Sequence, residues 1–253
     1  MSVAGSLAVV GLGPGSDAML TPEASAALAE ADALFGYGPY LDRVPPRPGQ
    51  TRYPSDNREE LSRAEAALAA AAAGARVAVV SGGDPGVFAM AAALCEAAEH
   101  GPGAWRALDL RVVPGVTAML ALAARAGAPL GHDFCAVSLS DNLQPWPLVE
   151  RRLAAAASAG FAVALYNPVS RARPWQLGAA FEVLRRHLPG STPVVFGRGV
   201  GRPGEAVAVS PLAGADPARA DMATCVIVGT AETRLVPRAG LPPLVYTPRR
   251  AGA

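Results

Sequence analysis

Three stretches carry residue types that can hold a small ligand at the end of a strand. Val77-Ala-Val-Val-Ser-Gly-Gly-Asp-Pro-Gly-Val-Phe-Ala-Met90 stops a β-branched apolar run at two glycines, an aspartate and a proline before an Ala-rich helical pattern. Gly82 and Gly83 permit positive φ and let backbone approach a ligand without a Cβ, Asp84 suits a helix N-cap, and Pro85 suits the first helical turn. An ordinary strand-to-helix turn needs the same residues, so the argument rests on repetition. Leu7-Ala-Val-Val-Gly-Leu12 runs into Gly11-Leu-Gly-Pro-Gly15, and Asp109-Leu-Arg-Val-Val113 runs into Pro114-Gly-Val-Thr-Ala118. The first loop is spaced GxGxG rather than GxGxxG, and Pro14 deletes an amide that would face a pyrophosphate; a ligand without phosphates fits better than a dinucleotide.

A fourth convergence follows Phe161-Ala-Val-Ala-Leu-Tyr166, which opens into Asn167-Pro-Val-Ser-Arg-Ala-Arg-Pro-Trp-Gln176, where polar, aromatic and paired basic residues meet. All 22 basic residues are arginine, which removes Schiff-base chemistry and a phosphate-loop lysine. Arginine suits bidentate grip of carboxylates, although a biased composition accounts for most of the 22. Cys95, Cys135 and Cys225 are far apart, with no CxxC and no histidine at ligand spacing. Neither a zinc site nor a disulfide framework is indicated, and each is expected to be a buried small apolar residue.

The elements that must position these residues alternate as β and α. Strands are expected near 7–12, 33–35, 76–81 and 109–113, with helices from Thr21-Pro22-Glu23 to Ala31, from Asp56 or Asn57 to Ala73, from Pro85 to Ala98, and after Thr117. That order predicts a mostly parallel sheet with its ligand edge at the carboxyl ends of the strands. Beyond Gly127 strands are read at 134–139, 161–166, 193–196, 206–210 and 224–229. The last three lack a full helical pattern between them, so a second, mixed sheet is expected. The fold class is therefore α/β with two lobes, divided as residues 1–116 and 117–253. Gly36-Tyr-Gly-Pro-Tyr40 and Pro45-Pro-Arg-Pro-Gly49 form a connection longer than such a unit requires, as a lid or mobile loop would be. Arg58, Glu59, Glu60, Arg63 and Glu65 read as a solvated helix face, and the tail after Thr230 is uninformative. With 51% hydrophobic residues and a net charge of +1, the chain offers no broad electrostatic footprint for nucleic acid or an anionic membrane. No secretory leader pattern and no long apolar run is present, so a cytoplasmic location is expected.

Gly11-Leu-Gly-Pro-Gly15, Ser81-Gly-Gly-Asp-Pro85, Val113-Pro-Gly-Val-Thr-Ala118 and Tyr166-Asn-Pro168, in this order and spacing, resemble the tetrapyrrole (precorrin) methylase family over nearly the whole chain. Within it, Gly131-His-Asp-Phe-Cys135, Ser138-Leu-Ser-Asp-Asn-Leu143 and Tyr166-Asn-Pro-Val-Ser-Arg-Ala-Arg-Pro-Trp175 are similar to the branch that methylates C17 of precorrin-3B in cobalamin synthesis. The resemblance implies two α/β lobes with S-adenosylmethionine in the cleft between them, a homodimer, and a carboxylate-rich macrocycle as substrate. It places cofactor contacts on Pro14, Gly82, Gly83, Asp84, Val87, Thr117 and Ala118, and more loosely near Asn167, Gly199 and Thr224; no metal is implied.

A sulfonium is already a strong methyl electrophile and a pyrrolic carbon a competent nucleophile, so positioning is the main task, worth roughly 7–11 kcal/mol of barrier. The resembling branch also contracts the ring through a hydroxyl, which calls for proton-handling groups. Asp141, Tyr166 and His132 are the candidates, each with an ordinary alternative as helix cap, core aromatic or loop histidine. Ser170, Arg171 and Arg173, beside Trp175, are the expected substrate grip. The same fold also serves a cobalt-loaded ring or a diphthine-type protein substrate, and a non-catalytic nucleotide-binding module is the rival from another class; Asp141-Asn142-Leu143 favours the metal-free precorrin.

Overall fold

The computed structural model describes residues 5–56, 59–170 and 172–250. Asn57, Arg58 and Arg171, named above, lie outside the described residues. The chain divides into two compact units, Met1–Thr117 and Ala118–Ala253.

The first unit runs β1 (Ser6–Gly11), α1 (Pro22–Glu30), β2 (Ala33–Tyr37), α2 (Gly38–Leu41), β3 (Thr51–Ser55), α3 (Glu60–Ala72), β4 (Arg76–Ser81), α4 (Met90–His100), α5 (Gly103–Arg106) and β5 (Asp109–Val113). Its five strands are all parallel, in the order β3-β2-β4-β1-β5. The central strands read as unbroken apolar runs because both faces are covered. Leu7, Val9, Val77, Val79 and Phe35 pack with Ala64, Leu68 and Leu94 of α3 and α4, while Ala8, Val10, Ala78, Val80 and Leu34 pack with Ala24, Leu28 and Leu41 of α1 and α2. Thr21 caps α1 as its sequence requires, its Oγ1 accepting from Ala24 N at 3.0 Å with Pro22 next.

Four local expectations fail here. The helix after β4 begins at Met90 with Ala89 as its N-cap, because residues 85–89 form a loop and the Asp84 carboxylate is spent elsewhere. Arg63 is buried, with Nε on Ser55 Oγ at 2.6 Å and Nη1 on Met90 Sδ at 3.2 Å; burial pulls its pKa below the ordinary arginine value. The long connection is pinned rather than loose: Arg52 donates to the Leu41 and Val44 carbonyls, and Arg43 to the β1 loop. Cys95 is exposed, whereas Cys225 is buried and Cys135 half-buried.

The second unit runs α6 (Ala118–Ala126), β6 (Gly127–Ala128), β7 (Phe134–Ser138), α7 (Trp146–Ser158), β8 (Ala162–Tyr166), α8 (Gln176–Arg185), β9 (Pro193–Arg198), β10 (Ala206–Pro211), β11 (Thr224–Val228), β12 (Arg234–Arg238) and β13 (Leu241–Tyr246). The expected mixed sheet is present as β10-β9-β11-β8-β7, with β7 and β8 parallel and β11 antiparallel to both β8 and β9. One face packs Val163, Leu165, Phe196 and Val226 on Leu153 and Phe181 of α7 and α8. On the other, Gly197 makes room for Leu122 of α6, since a Cβ there would lie 2.3 Å from Leu122 Cδ1.

The stretch after Thr230, which gave no signal, forms a hairpin. β12 pairs antiparallel with β13, and β13 pairs in parallel with β6. Its prolines hid it, and the register shifts between Val236 and Arg238, where Pro237 sits, as a strand proline requires. Thr247 secures the join: its amide donates to Ala128 O at 3.0 Å and its hydroxyl to Pro129 O at 2.6 Å.

Candidate active site

At the carboxyl edge of the first sheet, the loops after β1, β4 and β5 interlock through glycine. Gly13 and Gly83 exchange amide hydrogen bonds at 3.1 and 2.9 Å, and Leu12 N donates to Ser81 O at 2.9 Å. Both glycines have positive φ, +66° and +70°, which side chains rarely adopt. A Cβ on Gly115 would stand 2.3 Å from Gly83 O and 3.0 Å from Gly11 C, and one on Gly11 would stand 2.7 Å from Gly115 N. Three backbones therefore touch where side chains would keep them apart. Asp84 clamps the same junction, with Oδ1 accepting from Gly86 N at 2.8 Å and Oδ2 from Gly115 N at 3.0 Å.

The glycines have distinct uses. Gly82 leaves room for the Tyr40 ring, since a Cβ would come within 2.7 Å of its Cζ, whereas beside Gly83 the nearest atoms are Thr117 Cα at 3.8 Å and Val116 O at 4.0 Å. Arg43 braces the β1 loop from outside, its Nη2 donating to Leu12 O at 2.7 Å and Gly13 O at 3.0 Å. Pro14 lies within this loop, Val87 within the β4 loop, and Thr117 is buried at its end of the β5 loop, with Ala118 opening α6. Phe88, for which the sequence suggested no role, sits in left-handed backbone (φ +52°) with half its surface exposed. Asn167 is the other left-handed non-glycine among the described residues, and it too follows a strand. Sequence offers no signal for such a conformation at phenylalanine.

In the second unit a polar cluster gathers where β7, β8 and β9 end and β11 begins. Tyr166 closes β8, its hydroxyl oxygen accepting from Met119 N of α6 at 3.0 Å. Asn167 Nδ2 donates to Ser138 Oγ at 3.0 Å. Arg173 Nη1 donates to Asp141 Oδ1 at 2.9 Å and Ser140 Oγ at 3.0 Å, while its Nε lies 3.4 Å from Ser170 Oγ. Gln176 Nε2 adds a second donor to Asp141 Oδ1 at 3.2 Å. The Arg173 guanidinium holds the Asp141 carboxyl below the ordinary aspartate range, so Asp141 is an ion and a proton acceptor near neutrality. Gln176, the first residue of α8, was missed because a glutamine opening an amphipathic helix carries no signal of its own.

Thr224 and Gly199 complete the edge. Thr224 is buried, its hydroxyl bonded to Asp221 Oδ1 at 2.8 Å, and Gly199, at φ +56°, donates its amide to Ala223 O at 2.9 Å. Burial pushes the Asp221 pKa up, but bonds from Arg198 and Thr224 outweigh it and leave the group below its usual value. Val169, Ser170, Asp221, Met222 and Ala223 line a shallow, open depression of about 360 Å³ here.

The structure does not bring all three proton-handling candidates together. Register pairs Phe134 with Ala162 and Ser138 with Tyr166, so His132, before β7, stands at the amino ends of these strands and Asp141 and Tyr166 at their carboxyl ends. About 3.3 Å per residue along β7 separates His132 from the cluster by well over a hydrogen bond's reach. His132 instead lies 3.8 Å from Asp133.

Comparison with known proteins places this arrangement. The family model for Tetrapyrrole (Corrin/Porphyrin) Methylases matches residues 6–216. A precorrin-3B C(17)-methyltransferase from Sinorhizobium sp is 65% identical over 245 residues, covering 97% of this chain and 96% of that protein. A cobalt-factor III methyltransferase from Priestia megaterium is 38% identical over 231 residues, 90% of this chain but 43% of that longer protein. The crystal structure of the methyltransferase CobJ superposes with a TM-score of 0.91 at 53% identity, covering 96% of this chain and all of that one. By sequence along most of its length and by fold, the chain belongs to the tetrapyrrole methylases.

Proposed function

We propose that the protein is an S-adenosylmethionine-dependent C-methyltransferase that methylates C17 of precorrin-3B and contracts its ring, as a step of cobalamin biosynthesis. The observation that carries the reading is the interlocked Gly11, Gly83 and Gly115 junction in a chain of this family. The residues fit a cofactor without phosphates: the chain has no lysine, and the first loop is spaced GxGxG rather than GxGxxG, with Pro14 in place of an amide donor. Pro14, Gly82, Gly83, Asp84, Val87, Thr117 and Ala118 would hold it, and Asn167, Gly199 and Thr224 are the looser candidates. When bound, the cofactor supplies an electrophilic methyl group.

The chain's own residues orient the ring and move one proton. Gaining a methyl cation equivalent at carbon while losing a proton from the hydroxyl leaves the substrate's charge unchanged, so one proton acceptor suffices. Asp141 fits that role, being ionised and about a quarter exposed at the polar edge. Tyr166, whose hydroxyl oxygen accepts from Met119 N at the start of α6, is the second candidate for contact with the reacting hydroxyl. His132 is left without a role at this edge by its position. Ser170, Arg171 and Arg173 grip rim carboxylates. The greater identity to the Sinorhizobium protein than to the cobalt-factor III relative favours a metal-free ring.

We place the enzyme in the cytoplasm as a homodimer of two-lobed chains, divided near residue 116. Among the described residues no helix is long and apolar enough to cross a membrane. The exposed Val236 and Leu244, cross-strand partners on one face of the β12–β13 hairpin, offer an apolar pair of the kind a subunit contact covers. Sedimentation would test the dimer. Incubating the protein with labelled S-adenosylmethionine and uroporphyrinogen, precorrin-3B or a cobalt-loaded ring tests the activity: label and a ring-contracted mass from precorrin-3B are expected, and turnover of uroporphyrinogen alone would overturn it.

A further inference from the structure

Asp141 is held by two donors of different kinds, and both bind one oxygen. Arg173 is charged and partly exposed, at 23% of its side chain; Gln176 is neutral and 2% exposed. An arriving carboxylate competes for the guanidinium by charge and can reach it. It can neither attract nor reach the amide. Arg173 is also weakly committed elsewhere, since its remaining bonds at 3.0 and 3.4 Å go to hydroxyls of Ser140 and Ser170. The Asp141–Arg173 pair is therefore exchangeable, whereas the Asp141–Gln176 bond is not.

The other end of Gln176 points the same way. Its Oε1 is buried with no hydrogen-bond partner among the described residues. A buried acceptor left unmatched carries a desolvation cost that an apolar side chain of equal length would avoid. Packing alone gives no account of an amide at this position, but the bond from Nε2 to Asp141 does.

We propose that Gln176 is a positioning residue that retains Asp141 at the substrate edge after a substrate carboxylate has drawn Arg173 away, so that the substrate's arrival itself frees Asp141 to take the hydroxyl proton. In the step, the O–H bond breaks and its proton goes to Asp141 Oδ2. The electron pair left on oxygen becomes the carbonyl bond as the carbon–carbon bond migrates, and the displaced pair reaches the carbon that accepts the methyl group, while the old methyl–sulfur pair stays on sulfur. Among the described residues Arg173 is the charged group bearing on Asp141; Ser140 and Gln176 are neutral. The inference rests on the reading that this loop grips tetrapyrrole carboxylates.

The test uses the full chain with Gln176→Met, Asp141→Asn, their double variant and Arg173→Ala. Tetrapyrrole binding is followed by absorbance titration, alongside kcat, KM and the pH profile. Gln176→Met should lower kcat roughly 10- to 100-fold, as misplacing a reacting group does, with tetrapyrrole binding unchanged and melting no lower than wild type. Because Gln176 acts through Asp141, the double variant should be no slower than Asp141→Asn alone. Should the methionine variant fold poorly, Gln176→Glu reads the same point: it keeps the size, replaces the neutral amide with a second carboxyl that competes with Asp141 for one proton, and should move the acid limb of kcat to higher pH. Wild-type kcat in Gln176→Met, or losses that multiply in the double variant, would overturn the role of Gln176. Unchanged tetrapyrrole binding in Arg173→Ala would instead overturn the exchange and with it the carboxylate grip.

Discussion

Gly115→Ala tests the loop junction most directly. The new Cβ would stand 2.3 Å from the Gly83 carbonyl oxygen and 3.0 Å from both Gly11 C and Gly11 Cα, where ordinary contact begins near 3.4 Å. Every obstructing atom is backbone, so no side chain can swing aside, and two strands' loops must part by about 1 Å. Overpacking of this kind costs ~1–3 kcal/mol, and parting the loops weakens the Gly115–Asp84 hydrogen bond, a charge-assisted one worth ~1.5–3 kcal/mol. A combined loss of about 3 kcal/mol corresponds to roughly 6–12 °C in melting temperature for a chain of this size. The assay is melting by circular dichroism together with calorimetric titration of S-adenosylhomocysteine. The control is Gly103→Ala, whose Cβ would meet only Arg106 Nη2 at 3.7 Å in α5, and which should stay within ~0.5 kcal/mol of wild type or gain slightly. If Gly115→Ala melts within about 2 °C of wild type and binds the cofactor product normally, the glycines do not serve close loop contact and the reasoning fails.

Asp84→Ala should destabilise by ~1–3 kcal/mol and weaken S-adenosylhomocysteine binding, because Gly115 N loses its acceptor, while Asp84→Asn keeps one amide bond and should fall between; equal calorimetric affinity in all three would refute the clamp. Arg173→Ala should raise the tetrapyrrole KM roughly tenfold to a hundredfold and Arg173→Lys restore it only partly, since lysine lacks the planar fork; unchanged steady-state kinetics would move the grip elsewhere. Asp141 has its folded pKa depressed, so the stability its ion pair adds is present above the ordinary aspartate range and lost as pH falls through the lower folded value. In Arg173→Ala the folded value moves back toward the ordinary aspartate range, so this acid-sensitive contribution should shrink, as acid titrations of folding would record. Burial pushes the Cys225 thiol up to about 12, leaving ~10⁻⁴ as thiolate at pH 8, so a disulfide reagent should label exposed Cys95 first and Cys225 only on unfolding.

What the sequence made legible follows from what is local. Unbroken apolar runs such as Val77 to Val80 announce strands covered on both faces, and Thr21-Pro22 announces a helix start, because burial and capping are written in neighbouring residues. The loop junction was legible as glycine and proline, but not its use: Gly82 serves the Tyr40 ring and Asp84 the Gly115 amide, partners 42 and 31 residues away. Distance also hid Arg43, which fastens the carbonyls of the β1 loop, and Arg63, which reads as part of a solvated helix face yet bonds Ser55 and the Asp56 carbonyl. Asp141 and Arg173 were each visible, but that they neutralise one another depends on β7 and β8 lying side by side in parallel register.

The β6–β13 pairing bears on how the chain is made. Gly127 and Ala128 emerge from the ribosome early in the second unit, yet their partners Val245 and Tyr246 are synthesised roughly 120 residues later. At ~5–20 residues per second, β6 waits on the order of 6–24 s before it can pair. The first unit draws every strand of its sheet from residues 6–113 and can close during that interval. The second cannot be completed until the hairpin arrives, so a ribosome stalled before Leu241 should display a folded first unit joined to an unfinished second one.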